Sequence, residues 1–336
     1  MGRQSNFEAY RIVCILLIVV MHTFGAGTGQ LNTQLGILVN VIGNIGVTGF
    51  VLLSGYFGIR LKGKKLAKMD IMLIFWSLVA YCSRFLIEGF SGNISVKELL
   101  TCFIPVISHK YWFISAYFCL CILSPFINEY LERIDQKRHR QLIIGAGVLF
   151  LLLPTVCFFD QTGDGGKGIV NMVLAYIIGR YIGMYHKDKF VPQGRIMVLL
   201  VSTIFVNFVL NDGMYLVTGS QANYFARDNS LLTMIQAVLM LLLFMQHKYE
   251  SRFVNILAAN VLAVYILEDI LKMHLQAVFP YPVYMEQGYY ILIVAAVSLI
   301  VFVSAVLLEE IRKRIFGRIE DMVIDKIGNR VAKWIN

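Results

Sequence analysis

Two ionisable side chains, Arg11 and His22, lie within the first apolar stretch of this 336-residue chain. The eleven residue steps from Arg11 to His22 correspond, on an α-helix, to about 20° beyond three full turns and a rise of about 16 Å. Both side chains therefore project from one face. Histidine exchanges protons near neutral pH, and arginine binds phosphate. The pair predicts a site in which His22 is a catalytic base and Arg11 holds an anion. The alternatives are an interfacial anchor at Arg11 and a packed, hydrogen-bonded histidine at His22.

A second group of charges lies in the ninth apolar stretch. Lys272 follows Glu268 by four residues and Asp269 by three, so either carboxylate can pair with it on a helix. Counted inward from the ends of their stretches, Glu268 and Arg84 lie at about the depth of His22. Because ionisable groups inside a membrane span are costly, we predict that these three share a polar cavity. The alternatives are that Glu268 and Lys272 neutralise each other and that Arg84 extends to the membrane surface.

The composition determines the fold class. Hydrophobic residues make up 58% of the chain and charged residues 15%, with a mean hydropathy of +0.69, whereas soluble domains are about 45–50% apolar and about 25% charged. We predict an all-α, polytopic membrane helix bundle with about ten transmembrane helices. The candidate spans lie near 10–28, 36–57, 70–89, 99–128, 142–160, 168–185, 196–211, 229–247, 254–277 and 289–308. In the fourth, a short re-entrant piece is expected before the span at 111–128.

Basic residues predict the orientation. A cytoplasmic N-terminus puts 24 of the 30 lysines and arginines on the inside, so both termini are expected in the cytoplasm. The net charge of +9 is then a topological signal, and no nucleic-acid partner is predicted. Six positive residues do not follow this pattern: Arg84, Lys97, Lys110, Lys167, Arg227 and Lys272.

The chain is predicted to consist of a membrane domain, residues 1–310, and a basic amphipathic cytoplasmic tail, residues 311–336. In the tail, apolar residues recur at helical spacing between bases, which is typical of a helix on the inner leaflet. The alternative is a simple extension of the tenth span into the cytoplasm.

Other motifs are weaker. Gly43, Gly46 and Gly49 recur at helical spacing and predict close packing of the second span, where Asn44 could form interior hydrogen bonds. The stretch from Gly163 to Gly168 lacks the spacing of a phosphate-binding loop. We find no metal-ligand cluster and predict no metal site.

In several places the chain resembles acyltransferase family 3, polytopic membrane enzymes that O-acylate bacterial surface sugars. Arg11, ten residues and His22 match the signature of that family's first span. The segments from Gly46 to Gly58, Tyr111 to Asn128 and Val261 to Ile270 are similar to its second, fourth and ninth spans. Two departures matter: Lys65 and Lys68 stand where many members have arginines, and Glu268 stands at a late histidine position.

The resemblance implies a membrane O-acyltransferase that moves an acyl group, usually acetyl, from acyl-CoA to a hydroxyl of a surface polysaccharide or lipid-linked sugar. The expected partners are acyl-CoA, the glycan and the lipid bilayer, in the inner (cytoplasmic) membrane. No permanently bound cofactor is expected, and the oligomeric state stays open. The expected roles are catalysis by His22, Glu268 and Arg84, binding of the CoA phosphates by Arg11, Lys62, Lys64, Lys65 and Lys68, and binding of the acceptor by Asn44, His109, Trp112 and Tyr117.

The substrates are expected to meet in one continuous cavity, open to the cytoplasm at Arg11 and outward near His109, with Arg84 stabilising the oxyanion. The alternative route brings both substrates from the cytoplasm. A rival hypothesis from another functional class is a secondary transporter or flippase, which would also hold charges around a central cavity. A non-catalytic scaffold is a third.

Overall fold

The computed structural model describes residues 4–25, 34–88, 95–187, 191–219 and 223–335 of the chain, without the side chains of 85–88 and 327–335. These residues are mostly helical and contain no β-strand, which confirms the all-α prediction. The first helices are α1 (Ser5–Gly25), α2 (Gln34–Gly43), α3 (Ile45–Phe57), α4 (Gly63–Glu88), α5 (Val96–Phe103), α6 (Trp112–Arg133), α7 (Gln136–Gly147) and, after a π-helical turn, α8 (Leu153–Val156). The rest are α9 (Ile169–Tyr185), α10 (Gln193–Thr218), α11 (Leu231–Met245), α12 (Arg252–Ala258), α13 (Val261–Val278) and α14 (Tyr290–Ile335), with 3₁₀ turns at Tyr224–Ala226 and Tyr281–Tyr284.

Within the described ranges, eight helical segments are long and apolar enough to cross a membrane, and a ninth results if α12 and α13 form one bent span. A further apolar helix, α9, is shorter, at 17 residues. Each of the ten predicted stretches contains a helix, so the polytopic bundle is confirmed, whereas the count of ten and the side of the termini stay predictions. The predicted limits at 28 and 89 lie outside the described residues. In the fourth stretch, the eight-residue α5 precedes α6.

The last helix, α14, runs for 46 residues without a break. At 1.5 Å per residue it is about 69 Å long, more than twice the roughly 30 Å thickness of a bilayer core. The segment after residue 310 therefore continues the same helix, whereas its place on the inner leaflet or in the cytoplasm stays a prediction. A buried hydrogen bond joins α14 to α4, where Trp76 Nε1 donates to Glu309 at 2.7 Å, and Arg312 of α14 donates to the same carboxylate at 2.7 Å.

The first helix is fixed at its N-terminal end by hydrogen bonds to later parts of the chain. The backbone N–H of Ser5 donates to the carbonyl of Tyr249 at 2.9 Å, and Asn6 Nδ2 donates to the carbonyl of Phe244 at 3.0 Å. One side of α1 is then buried against α3, α11 and α12. These contacts set the register of α1, and with it the positions of Arg11 and His22.

Glycines allow α3 to approach its neighbours closely. A Cβ atom at Gly46 would lie 2.4 Å from the carbonyl oxygen of Cys14 on α1, and one at Gly55 would lie 2.1 Å from the carbonyl oxygen of Tyr176 on α9. On α9, a Cβ at Gly179 would lie 2.0 Å from the carbonyl oxygen of Leu52. No side chain fits at these distances, which confirms the packing role predicted for the glycine-rich second span.

A 56° bend separates α12 from α13 and starts α13 inside the bundle. Asn260 stands at the bend, where its Nδ2 donates to Glu310 Oε1 of α14 at 2.9 Å. Two turns further along α13, Glu268 is 2% exposed. The break therefore brings a carboxylate of the ninth span to the far end of α1.

Candidate active site

The structure brings His22 and Glu268 into direct contact. His22 Nδ1 lies 2.7 Å from Glu268 Oε1, although 246 residues separate them in the chain. An ionised carboxylate only accepts hydrogen bonds, so this contact places the proton of neutral imidazole on Nδ1 and leaves Nε2 as an acceptor. The His22 side chain is 39% exposed, whereas that of Glu268 is 2% exposed. A buried carboxylate thus orients an accessible imidazole.

Lys272 balances the buried negative charge. Its Nζ lies 3.9 Å from Glu268 Oε2 and 2.9 Å from Asp269 Oδ1, and its side chain is only 5% exposed. Both pairings predicted from the sequence are present. Since Glu268 also contacts His22, its pairing with Lys272 does not exclude a role at the histidine. Glu268 Oε2 has no hydrogen-bond partner.

His22 lines a cavity of about 860 Å³, which we call the polar chamber. Its wall combines residues from α1 and α2, the segment between α8 and α9, the segment before α11, and α13. The charged and amide side chains most relevant to binding are Asn44, Asp164, Lys167, Arg227 and Asp228. The volume lies within the range of small-molecule sites, about 300–1,000 Å³.

Two other cavities lie toward the N-terminal end of α1. One, the basic mouth, measures about 310 Å³ and includes Arg11, Arg60, Lys62 and Lys65. The other, the apolar throat, measures about 210 Å³ and runs past Ile15 and Ile18 of α1. Mouth and throat share four lining residues, namely Arg11, Ser54, Met69 and Tyr117. Arg11 therefore stands where the basic mouth passes into the throat.

The throat and the polar chamber share no lining residue among those described, so they are not one continuous cavity in this conformation. Ile18, at the chamber end of the throat, precedes His22 by one helical turn. The throat and the chamber thus lie on either side of this turn of α1, and the structure does not show the continuous cavity that the sequence predicted.

The predicted phosphate-binding lysines divide into two groups. Lys62 and Lys65 line the basic mouth together with Arg11, whose Nη1 also lies 3.0 Å from Glu8 Oε1. Lys68 instead bonds Asp321 of α14 at 2.9 Å, and Lys64 pairs with Asp325. Neither Lys64 nor Lys68 lines the basic mouth, because they lie one turn apart on the face of α4 that pairs with the long final helix.

Two predicted residues lie away from the polar chamber. Arg84 Nη1 pairs with Glu98 of α5, and neither residue lines the chamber. His109 is exposed in the turn between α5 and α6, with a positive φ of 57°, and it does not line the chamber either. Arg84, predicted beside the reacting atoms, thus has an ion pair with Glu98 and does not belong to the chamber wall, and its role in stabilising the oxyanion stays a prediction. The predicted outward opening near His109 is thus not part of this chamber, whose wall contains Asp164 and Arg227.

The other three predicted binding residues adjoin the cavities. Asn44, between α2 and α3, lines the chamber and donates to the carbonyl of Ala226 at 2.7 Å. Trp112 lies beneath Lys167, whose Nζ is 5.9 Å from the indole centroid. Tyr117 lines both the mouth and the throat, and its hydroxyl lies 3.1 Å from Ser54 Oγ.

Sequence reasoning missed the segment from Asp160 to Gly168, here the chamber loop. Asp160 Oδ2 accepts from the backbone N–H of Gly165 at 2.9 Å, and Asp164 Oδ1 accepts from that of Gly166 at 2.8 Å. The loop thus folds around its own carboxylates instead of cradling phosphate. One sequence signal was available: Lys167, Arg227 and Lys272, three of the six basic residues outside the positive-inside pattern, all line this chamber.

Gly166 fits the chamber loop against the start of α11. Its φ is +87°, and a Cβ there would lie 2.3 Å from the backbone nitrogen of Asn229. Gly163 has a similar φ of +66° but no atom within 4 Å of its Cβ position.

We expect Gly163→Ala to cost about 1–2 kcal/mol of unfolding free energy through φ alone, and Gly166→Ala to cost more because it adds a backbone collision. Thermal unfolding of the solubilised variants measures both losses of stability. Equal losses in the two variants would contradict the close approach of Gly166 to the backbone of Asn229.

The arrangement is suited to acid–base chemistry on a hydroxyl group. The imidazole of His22, held by Glu268 through Nδ1, lines a chamber that is rich in hydrogen-bonding groups, and the basic mouth lies toward the other end of α1. Within the described residues, no group of three or more His, Cys, Asp or Glu side chains is arranged to hold a metal ion.

Comparison with protein families agrees with this architecture. The profile of the acyltransferase 3 family, described as an acyltransferase domain, matches residues 5–318, and so runs past the predicted boundary at 310 into the extended part of α14. No curated protein and no solved structure matches the chain. Because the match covers nearly the whole chain, from α1 with its Arg11–His22 pair to the last span, the chain belongs to the acyltransferase 3 family and is a multi-pass membrane acyltransferase.

Proposed function

We propose that the protein is an O-acyltransferase that moves an acetyl group from acetyl-CoA to a hydroxyl of a surface polysaccharide or lipid-linked sugar in the inner (cytoplasmic) membrane. The observation that carries the proposal is the contact of His22 Nδ1 with the buried Glu268, which leaves Nε2 toward a chamber large enough for a sugar. A general base in such a position typically contributes a factor of about 10²–10⁴ to the rate.

In the proposed reaction, the acceptor hydroxyl gives its proton to His22 Nε2 while its oxygen attacks the thioester carbonyl. The new O–C bond forms, the C–S bond breaks, and the CoA thiolate leaves with the proton that His22 returns. Glu268 holds the imidazole through Nδ1 and stabilises the imidazolium between the two proton transfers. Atoms and charge balance without a metal or an oxidant.

The donor route is supported by the order of the cavities along α1. The cations of the basic mouth, Arg11, Lys62 and Lys65 among them, are suited to CoA phosphates. The apolar throat is suited to the pantetheine arm, because Arg11 and His22 are about 16 Å apart on one helix face. The thioester then reaches His22 from the throat side, and the acceptor hydroxyl reaches it from the chamber.

Purified protein in detergent, supplied with labelled acetyl-CoA and extracted surface glycan, tests the proposal. We expect label in O-acetyl esters of the glycan, and a lower glycan acetyl content in cells without the protein. Movement of glycan or another solute across the membrane without any acetyl transfer would contradict the proposal and favour the transporter or flippase. Unchanged glycan acetylation without the protein would also contradict it.

The divided lysine cluster gives a matched pair of variants for the donor site. Changing Lys62 and Lys65 to Gln is expected to raise the Kd for acetyl-CoA about tenfold, about 1.4 kcal/mol, because both cations leave the basic mouth. Changing Lys64 and Lys68 to Gln removes the same charge from the same helix but leaves the mouth intact, so a change within about twofold is expected. Calorimetry with acetyl-CoA measures both. Equal weakening by the two double variants would instead indicate a general charge effect.

A further inference from the structure

Building on the proposed function, we propose that the chamber loop and Asp228 form the acceptor subsite, and that this subsite takes a neutral, hydroxyl-rich sugar residue rather than one that bears a carboxylate or phosphate. The proposal thus assigns a substrate class to the side of the chamber opposite the donor, with Asp228 and Lys167 as its main contacts.

Asp228 is a buried carboxyl group in the chamber wall with one unpaired oxygen. It is only 4% exposed, it lines the polar chamber, and its Oδ1 has no hydrogen-bond partner. A buried acceptor without a partner costs about 1–3 kcal/mol, more when charged. A hydroxyl group of a molecule in the chamber can donate to this oxygen. The unpaired atom therefore points to a ligand with O–H donors.

Two cations beside Asp228 supply the complementary donors. Lys167 Nζ lies 5.9 Å from the centre of the Trp112 indole, and Arg227 Cζ lies 4.1 Å from the centre of the Tyr224 ring. Neither cation forms an ion pair with any residue the structure describes. Aromatic faces therefore hold both charges in place while their N–H groups are available to oxygen atoms of a bound molecule.

The charge balance of the chamber wall favours a neutral ligand. Four carboxyl groups face three cations, so the formal charge of the wall is −1 with the buried Asp228 ionised and zero with it protonated: Asp160, Asp164, Asp228 and Asp269 against Lys167, Arg227 and Lys272. An anionic sugar would be repelled by the carboxylates, whereas a neutral polyol uses donors and acceptors alike.

Asp160 contributes to this negative charge. Burial raises the pKa of its carboxyl, but the backbone N–H of Gly165 and the hydroxyl of Thr162 outweigh that effect and hold the pKa below its usual range. The carboxylate is therefore ionised at neutral pH. Its bonds within the loop also fix the backbone between Asp160 and Gly165, which carries Asp164 toward the chamber.

The chamber also connects this subsite to the proposed base. His22 and Asn44 line the same cavity as Asp228 and Lys167, so one sugar residue can contact Asp228 while another of its hydroxyls reaches His22. We therefore expect the acetyl group on the same sugar residue that contacts Asp228.

The test uses purified full-length protein, labelled acetyl-CoA and extracted surface glycan, with fragmentation mass spectrometry to locate the new acetyl group. We expect the acetyl on an uncharged sugar residue. Asp228→Asn and Lys167→Gln are each expected to raise the glycan concentration for half-maximal rate at least tenfold, with an unchanged KM for acetyl-CoA. Asp321→Asn, an exposed carboxylate on the final helix, serves as the matched control and is expected to leave both values unchanged.

Two results would overturn the inference: acetyl on a sugar residue with a carboxylate or phosphate, or unchanged glycan dependence in both Asp228→Asn and Lys167→Gln. If Asp228→Asn fails to fold, Lys167→Gln decides alone, since Lys167 is exposed and its loss leaves no buried group unpaired. If the wild-type protein acetylates no glycan at all, the proposed function itself fails, which is a distinguishable outcome.

Discussion

Replacing His22 with alanine is expected to lower the rate of acetyl transfer by a factor of about 10²–10⁴, the usual contribution of a general base. The imidazole is the accessible half of the His22–Glu268 pair, and its Nε2 is the atom proposed to take the acceptor proton. The loss should appear in kcat, with little change in the KM for acetyl-CoA, because the proposed phosphate site lies about 16 Å away at Arg11. Initial rates with labelled acetyl-CoA measure it.

His274→Ala provides the control for this result. His274 lies on α13, lines none of the three cavities, and should tolerate the same change of residue type with near-normal activity. Thermal unfolding of both variants separates lost catalysis from lost structure. Near-normal transfer by a folded His22→Ala protein would eliminate the histidine as the base.

Changing Glu268 to Gln is expected to lower kcat by about a hundredfold, the second largest effect. The amide can donate to Nδ1, which favours the wrong tautomer of His22, and it cannot stabilise the imidazolium that forms during transfer. Lys272 keeps Asp269 as a partner at 2.9 Å, so the variant does not leave that buried cation alone. Separate measurement of kcat and of both KM values distinguishes positioning of His22 from loss of substrate binding.

Glu286→Gln, an exposed change in the segment before the final helix, should leave these constants unchanged. A Glu268→Gln protein with normal kcat would show that the 2.7 Å contact serves packing alone. Loss of activity together with a large fall in unfolding temperature would instead assign Glu268 to the stability of the bundle.

The sequence was sufficient to predict the helical bundle, because membrane spans depend on local composition. It also placed Glu268 at about the depth of His22, since helical spacing and depth in the membrane are local quantities that can be compared between spans. The contact itself depends on the packing of α13 beside α1 after the bend at Asn260. Neither the bend nor the resulting 2.7 Å distance is visible in any window of the chain.

Other site residues could not be placed from the sequence because their positions depend on tertiary contacts. Arg84 has the right depth, but the short helix α5 supplies Glu98 as its partner. Lys64 and Lys68 belong to the predicted basic cluster, yet their direction depends on where α14 extends beyond its span. The chamber loop has no regular periodicity. The sequence indicated it only through Lys167, which is one of the six basic residues outside the positive-inside pattern.

Transfer across a sealed membrane tests whether donor and acceptor reach His22 from opposite ends of α1. Protein is reconstituted in vesicles with glycan trapped inside and labelled acetyl-CoA added only outside, beside matched vesicles of His22→Ala. We expect labelled O-acetyl ester on the trapped glycan of the wild-type vesicles and none in the His22→Ala vesicles. Label that appears only on glycan placed on the same side as the acetyl-CoA would contradict the two-sided site.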